Sequence, residues 1–411
     1  LLFSERTVAI IMSRLRWSRT RMLIMPTAKR RVGARLVLSR RELNRALLAR
    51  QMLLRREELS AETAIDRLVG MQAQAPNPPY VGLWTRLVGF RHEELAKLLT
   101  SRRAVRVAMM RSTIHLVTAE RFFQLRPLLQ PVLVRTLQAA FGRHLERIDR
   151  DAVAAHGRAL LEERPLTLGE IGTLLATRWR NRDAAALANV VRALVPLVQV
   201  PPRGIWGEGG APTHVAAETW LGRPLAPVAV EPMIKQYLSA FGPATIMDIQ
   251  KWSGLTRLRD VVERLRGELL TFGDDEGREL FDVPDAPRPD AGEPAPTRLL
   301  PEFDNVLLSY ADHSRILAQD DRKTVFTQNG IIRATFLVDG FVAGTWRVDW
   351  ANDSATLVIE PLRRLTPMQR AELAAEGRQL IAFIAGDAKT AAVQFAPKRA
   401  STLKMTPQRM G

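Results

Sequence analysis

The sequence predicts a mainly α chain with β structure, built as three tandem winged-helix units and a small β-rich C-terminal domain. Three observations predict it. Short capped helical patterns are followed three times by a run suited to a β-ribbon. Five prolines then crowd residues 282–297, and beyond them the pattern changes to strands around an Asp-Gly turn. A chain of 411 residues also exceeds the ~250 that one core spans. The expected divisions are a basic leader at 1–35, winged helices at 36–150, 151–225 and 226–285, and a linker with the β-rich domain at 286–411.

In the first unit, Ser39 is an N-cap with Glu42 at the capping-box position and Leu43, Leu47 and Leu48 behind it. A second helix opens at Ser60, carries Ile65, Leu68 and Val69, and ends near Gly70. Prolines 76, 78 and 79 keep the run Gln72 to Pro79 extended. Helices are expected over Leu83–Val88 and His92–Thr100, and a hairpin over Ala104–Val117 because of its β-branched near-alternation. The second unit repeats the pattern with helices at 166–175 and 183–194 and a wing over 195–206. In the third, Gly242–Leu255 and the helix through Arg259 to Leu265 precede two strands flanking an acidic turn in 269–281. At the C-terminus, residues 333–348 read as two strands around Asp339-Gly340, 354–360 as a third, and 366–385 as a packing helix.

Lys and Arg number 60 against 43 Asp and Glu, leaving a formal net charge of +17 that makes a polyanion the natural partner. Cysteine is absent, which excludes disulfides, thiolate zinc sites, iron–sulfur clusters and a cysteine nucleophile. The six histidines lack metal-ligand spacing, so neither metal nor cofactor is expected. In the Arg-rich leader, Val8–Met12 is far shorter than the ~20 residues that span a bilayer. The leader therefore reads as an over-extended start or a disordered arm, with no membrane anchor.

Gln72 and Gln74 stand two apart in a proline-stiffened segment, so their side chains would share one face of an extended chain. They would grip one small polar object, or bond backbone carbonyls at the helix end. Arg111, Thr113 and His115 alternate onto one strand face. That face would grip phosphates, or be a solvated strand with a satisfied histidine. His214 follows a Gly-rich turn that lacks the spacing of a phosphate loop, and Asp304, Asp312 and His313 take no assignment.

Leu68-Val-Gly-Met-Gln-Ala-Gln-Ala-Pro76, Leu83-Trp-Thr-Arg-Leu87, Met110-Arg-Ser-Thr-Ile-His-Leu-Val117 and Pro301-Glu-Phe-Asp-Asn-Val-Leu-Leu-Ser309 occur in order. Together they resemble the AlkZ-like (YcaQ-like) winged-helix DNA glycosylases. The resemblance implies winged helices around a basic channel for duplex DNA carrying alkylated guanine. It implies hydrolysis of the N-glycosidic bond of bulky or crosslinked N7-alkylguanines, often as self-resistance to a genotoxin, by a monomer in the bacterial cytoplasm. Its catalytic signature of two polar residues around an apolar one falls on Gln72 and Gln74. No lysine nucleophile sits in the motif, so the reaction would be monofunctional. Positions assign DNA contact to Arg86, Arg111, Thr113, His115, His214 and Arg347. The rival reading is a non-catalytic winged-helix regulator.

Overall fold

The computed structural model describes residues 31–32 and 35–396. The expected leader lies outside the described residues except at its end, where Arg31–Val32 pairs antiparallel with Arg35–Leu38. The fold is mixed α and β, with three sheets of four, five and six strands.

The first helix, Arg40–Arg50, starts at the capping box of Ser39 and Glu42 and buries Leu43, Leu47 and Leu48. Its arginines fasten the proline-rich stretch. Arg41 Nε donates to the Ala291 carbonyl (2.7 Å), Arg45 Nε to Glu293 (2.6 Å) and Arg50 Nε to Pro287 (3.2 Å). Composition predicts a linker here; the chain is irregular but docked. Prolines lack N–H groups and cannot build a ladder, so their neighbours' carbonyls find donors on the adjacent helix. Asp282, at the start of the stretch, receives both terminal nitrogens of Arg50.

The six-stranded sheet runs in the order Met71–Gln72, Ile114–Thr118, Ala104–Ala108, Leu197–Gln199, Thr213–Ala216, Leu166–Thr167. The hairpin Ala104–Ala108 with Ile114–Thr118 lies where its alternation predicts. The second hairpin is corrected: it leaves at Leu197–Gln199 but returns at Thr213–Ala216, because Pro201, Pro202 and four glycines over 204–210 form a long loop. Arg106 and Val107 pair with Gln199 and Val198, so the first two helix-and-hairpin sets share one continuous sheet. In the third set, Leu270–Asp274 pairs with Glu279–Asp282 and, in parallel, with Arg35–Leu38 from the far end of the chain.

The break expected through Pro79 is also corrected, since a helix spans Pro78–Trp84. Its two prolines occupy the first turn, where a missing N–H removes no helical bond. This helix carries Val81 and Trp84 onto the C-terminal core of Leu299, Phe336, Trp346, Leu357, Ile359 and Leu380. The C-terminal sheet runs Arg298–Leu300, Thr335–Val338, Phe341–Ala351, Ser354–Pro361, Thr390–Phe395, with the helix Pro367–Ile384 packed on it. Asp339 and Gly340 have φ of 51° and 82°, the positive pair that a two-residue hairpin turn requires. A Cβ on Gly340 would meet Asn44 Oδ1 at 2.5 Å, so the turn seats directly on the first helix.

The Arg50–Asp282 pair is sealed, with the side chains 1% and 0% exposed. Arg50→Ala leaves a buried carboxylate with less compensation and is expected to lower unfolding free energy by about 3 kcal/mol in urea titration. A loss under about 1 kcal/mol would contradict the docked reading of the proline-rich stretch.

Candidate active site

Gln72 ends the edge strand Met71–Gln72, opposite His115. The Ala73 N–H donates to the Ile114 carbonyl (2.8 Å), and Arg106 Nη2 donates to the Ala73 carbonyl (2.9 Å). The residue between the two glutamines is therefore pinned from both sides. Gln72 is 7% exposed, whereas Gln74 is open to solvent.

Both amides lean on the turn that joins the hairpin strands. Arg111 Nη2 donates to Gln72 Oε1 (2.9 Å) and Arg111 Nη1 to the Trp252 carbonyl (2.7 Å), while the Ile114 N–H donates to Gln74 Oε1 (3.3 Å). A guanidinium and a peptide N–H can only donate. Each amide must therefore turn its oxygen toward the hairpin, which fixes its orientation. The Gln72 Nε2 has no protein partner among the described residues and is not sealed in. Arg111 itself sits in the turn Met110–Ser112 at φ 55°, a left-handed conformation that aims its side chain back beneath Gln72.

The wall behind Gln72 comes from the far C-terminal part of the chain. Asn305 Nδ2 donates to the Gly70 carbonyl (2.6 Å), and Asp304 accepts both terminal nitrogens of Arg86 at 2.8 and 2.9 Å. The space left among Gln72, Pro79, Arg86, Pro301 and Asn305 is about 10 Å³, the threshold for one water molecule. The space holds nothing larger than a water, so the side of the pair open to solvent is the one with Gln74.

The turn arrangement corrects the expected strand face. Arg111 is not on the strand, and Thr113 and His115 spend their side chains on backbone carbonyls, those of Met110 and Thr113. His115 is 1% exposed with Nδ1 3.0 Å from the Thr113 carbonyl, and Thr113 Oγ1 donates to the Met110 carbonyl (3.2 Å). Burial first, then the Arg111 charge, push the His115 imidazole down to about 3. It is neutral at physiological pH and unavailable to phosphate. Arg86 is 1% exposed, and Asp304 neutralises it. His214 is 4% exposed beside the Leu166 carbonyl and is pushed by burial to about 4. It lies four strands from Gln72, roughly 19 Å at ordinary strand spacing. Arg347 is at the surface but paired to Asp349 and Glu360.

Sequence reasoning missed the support around the glutamines: Arg106, the Trp252 carbonyl, Arg192 on the Ser112 carbonyl (2.8 Å) and Asn305. Only Asn305 carried a signal, in the Pro301–Asn305 motif. It also missed a surface cluster. Arg143, Arg147 and Arg150 line one depression, to which Arg182 is joined through the Glu146 carbonyl. Among the described residues, no ion pair involves Arg143, Arg147 or Arg180.

A mixed α/β fold thus holds two oriented amides at a sheet edge in a chain of strong positive charge. The chain belongs to the AlkZ-like DNA glycosylase family, whose model matches residues 65–383. A relative from Streptomyces sahachiroi, an interstrand DNA cross-link repair glycosylase, is 27% identical over 320 residues, covering 73% of this chain and 85% of its own. The solved structure of the DNA glycosylase AlkZ from Streptomyces sahachiroi superposes with a TM-score of 0.70 at 22% identity, over 88% of this chain and all of that one, a likeness of fold. Among the described residues no helix is long and apolar enough to cross a membrane.

Both depressed histidines favour the unprotonated folded state. The stability they give is complete above the unfolded value near 6.5 and is lost as pH falls toward about 3 for His115 and about 4 for His214. Unfolding free energy is expected to drop between pH 6.5 and 5, at up to roughly 1.4 kcal/mol per pH unit for each histidine, as read by urea titration at each pH. His115→Gln should flatten part of that slope. An identical acid slope in the variant would contradict the buried neutral imidazole.

Proposed function

We propose that this protein is a monofunctional DNA glycosylase that hydrolyses the N-glycosidic bond of bulky N7-alkylguanines or crosslinks in duplex DNA. In this reading the three helix-and-hairpin sets act as winged helices, and Gln72 and Gln74 are the catalytic pair. The observation that carries it is the pair of oriented amides at the one open side of the sheet edge, in a chain of the AlkZ-like family. The cross-link repair activity named for the Streptomyces relative supports the lesion class.

Neutral amides suit this substrate. An N7-alkylated guanine is already cationic, and breaking the C1′–N9 bond returns the electron pair to the base, which departs neutral. Little acid catalysis is needed. What remains is to place a water against C1′ as positive charge grows on the sugar, and to hold the nucleotide in line. Gln74, open to solvent, keeps a lone pair on Oε1 beyond its bond to Ile114 and can orient that water. The water's proton leaves to solvent as the C1′–O bond forms. Nothing in the pair forms a Schiff base.

DNA would be held mainly elsewhere. Arg143 and Arg147 are exposed cations without a carboxylate partner among the described residues, the state that phosphate contact requires. The helix Gln130–Phe141 leads to them from Arg135, whose guanidinium reaches the Gly254 carbonyl two residues past Trp252. From Arg135 to Arg143 is roughly 12 Å along a helical rise.

Gln72→Ala or Gln74→Ala should slow single-turnover release of an N7-alkylguanine by about 10-fold or more, with binding to the same duplex little changed. Amides that merely hold the hairpin would instead lose stability and keep the rate per folded molecule. Full activity in the double variant would return the chain to the class of plain DNA binders. For the surface cluster, Arg143→Glu with Arg147→Glu should weaken binding and reduce the logarithmic salt slope by about 2. An unchanged slope would remove these residues from the interface.

A further inference from the structure

Unlike Arg86 with Asp304 and Arg50 with Asp282, two arginines at the site meet no carboxylate among the described residues: Arg106, which holds the Ala73 carbonyl, and Arg111, which bonds the Gln72 side chain directly. The Arg111 guanidinium is desolvated, and its partners are a neutral amide oxygen and a peptide carbonyl. Arg111 is half-buried, and a cation withdrawn from water without a carboxylate is costly, so its bond to Gln72 is the feature to explain.

The chemistry follows from what Gln72 has left. With Oε1 accepting from a cation, its remaining lone pair is a poorer acceptor, and electron withdrawal makes the Nε2–H bonds better donors. Nε2 is the group without a protein partner. We propose that Arg111 is a positioning residue that fixes Gln72 as a hydrogen-bond donor to the departing base, leaving the water to Gln74. The inference rests on the glycosylase reading. As the C1′–N9 bond breaks, the purine gains electron density and its edge acceptors strengthen, so an N–H aimed there binds the transition state more tightly than the ground state. The Arg111 backbone packs beside Gly254, whose φ of 82° is left-handed and where a Cβ would press on Val132 Cγ1 at 2.9 Å. The Trp252 carbonyl holds the second arm of the fork.

The test is single-turnover release of N7-alkylguanine by Gln72→Glu, Arg111→Met, Arg111→Lys and the Arg111→Met/Gln72→Ala double variant, with melting curves on each. Gln72→Glu keeps shape and gains an ion pair with Arg111 but loses its donors. It is expected to stay folded and to slow release about as much as Gln72→Ala, 10-fold or more. Arg111→Met should slow release similarly, Arg111→Lys should recover part of the rate, and the double variant should be no slower than Gln72→Ala. A wild-type rate in Gln72→Glu would make Gln72 an acceptor and overturn the inference while leaving the glycosylase reading intact. Additive losses in the double variant would overturn the coupling through Arg111. Absence of base release by the wild-type protein would instead bring down the glycosylase reading, and this inference with it.

Discussion

Arginine donates N–H bonds and accepts none, and this chain uses that asymmetry wherever its backbone runs irregularly. Arg41, Arg45 and Arg50 satisfy carbonyls of the proline-rich stretch, Arg86 fixes the Asp304 loop, and Arg106 and Arg111 tie the Gln72–Gln74 strap. Each bond joins segments far apart in sequence. Without them the edge strand would keep its two-residue ladder, the Ala73–Ile114 bond and the Asn305 bond to Gly70. The orientation of the glutamine amides is one result of this constraint, since a donor-only partner leaves no choice about which end faces the protein.

The same use of arginine divides the net charge into two populations. One is internal, neutralised by carboxylates or bonded to carbonyls, and shapes the site. The other is superficial, with Arg143 and Arg147, which have no carboxylate partner among the described residues, as its clearest members. A charge of +17 points toward a polyanion but cannot say which cations meet it. In the proposed function the internal set shapes the reacting site and the superficial set holds the DNA, on different elements.

Much of the architecture was legible because it is locally encoded. Ser39 with Glu42, Ser60, Asp339-Gly340 and the alternation of 104–117 each state their own geometry, and each element lies where its residues place it. What could not be read depends on partners distant in sequence. The pairing of Arg106 with Gln199 merges two hairpins into one sheet, and the parallel pairing of Val37 with Gly273 brings the chain's start to its third hairpin. The site divides in the same way. Spacing and the proline-stiffened frame put Gln72 and Gln74 on one face but left open whether they merely bond backbone at the helix end, and only the family resemblance proposed them as a pair. Arg111 announced only a charge, and its left-handed backbone, which turns it from the surface to the underside of Gln72, is not visible in residue type. Arg86 and His214 were misread because polar identity says nothing of burial.

The proposed role of the oriented amides is hydrolysis without a covalent enzyme intermediate. It is read most directly by mass spectrometry of the products formed from a duplex with a single bulky N7-alkylguanine, alongside borohydride trapping of any protein–DNA adduct. Hydrolysis leaves the intact alkylated base free in solution, an uncleaved strand with an abasic site, and no trapped adduct. A strand cut by the protein, a trapped Schiff base, or DNA bound with the base still attached would contradict it.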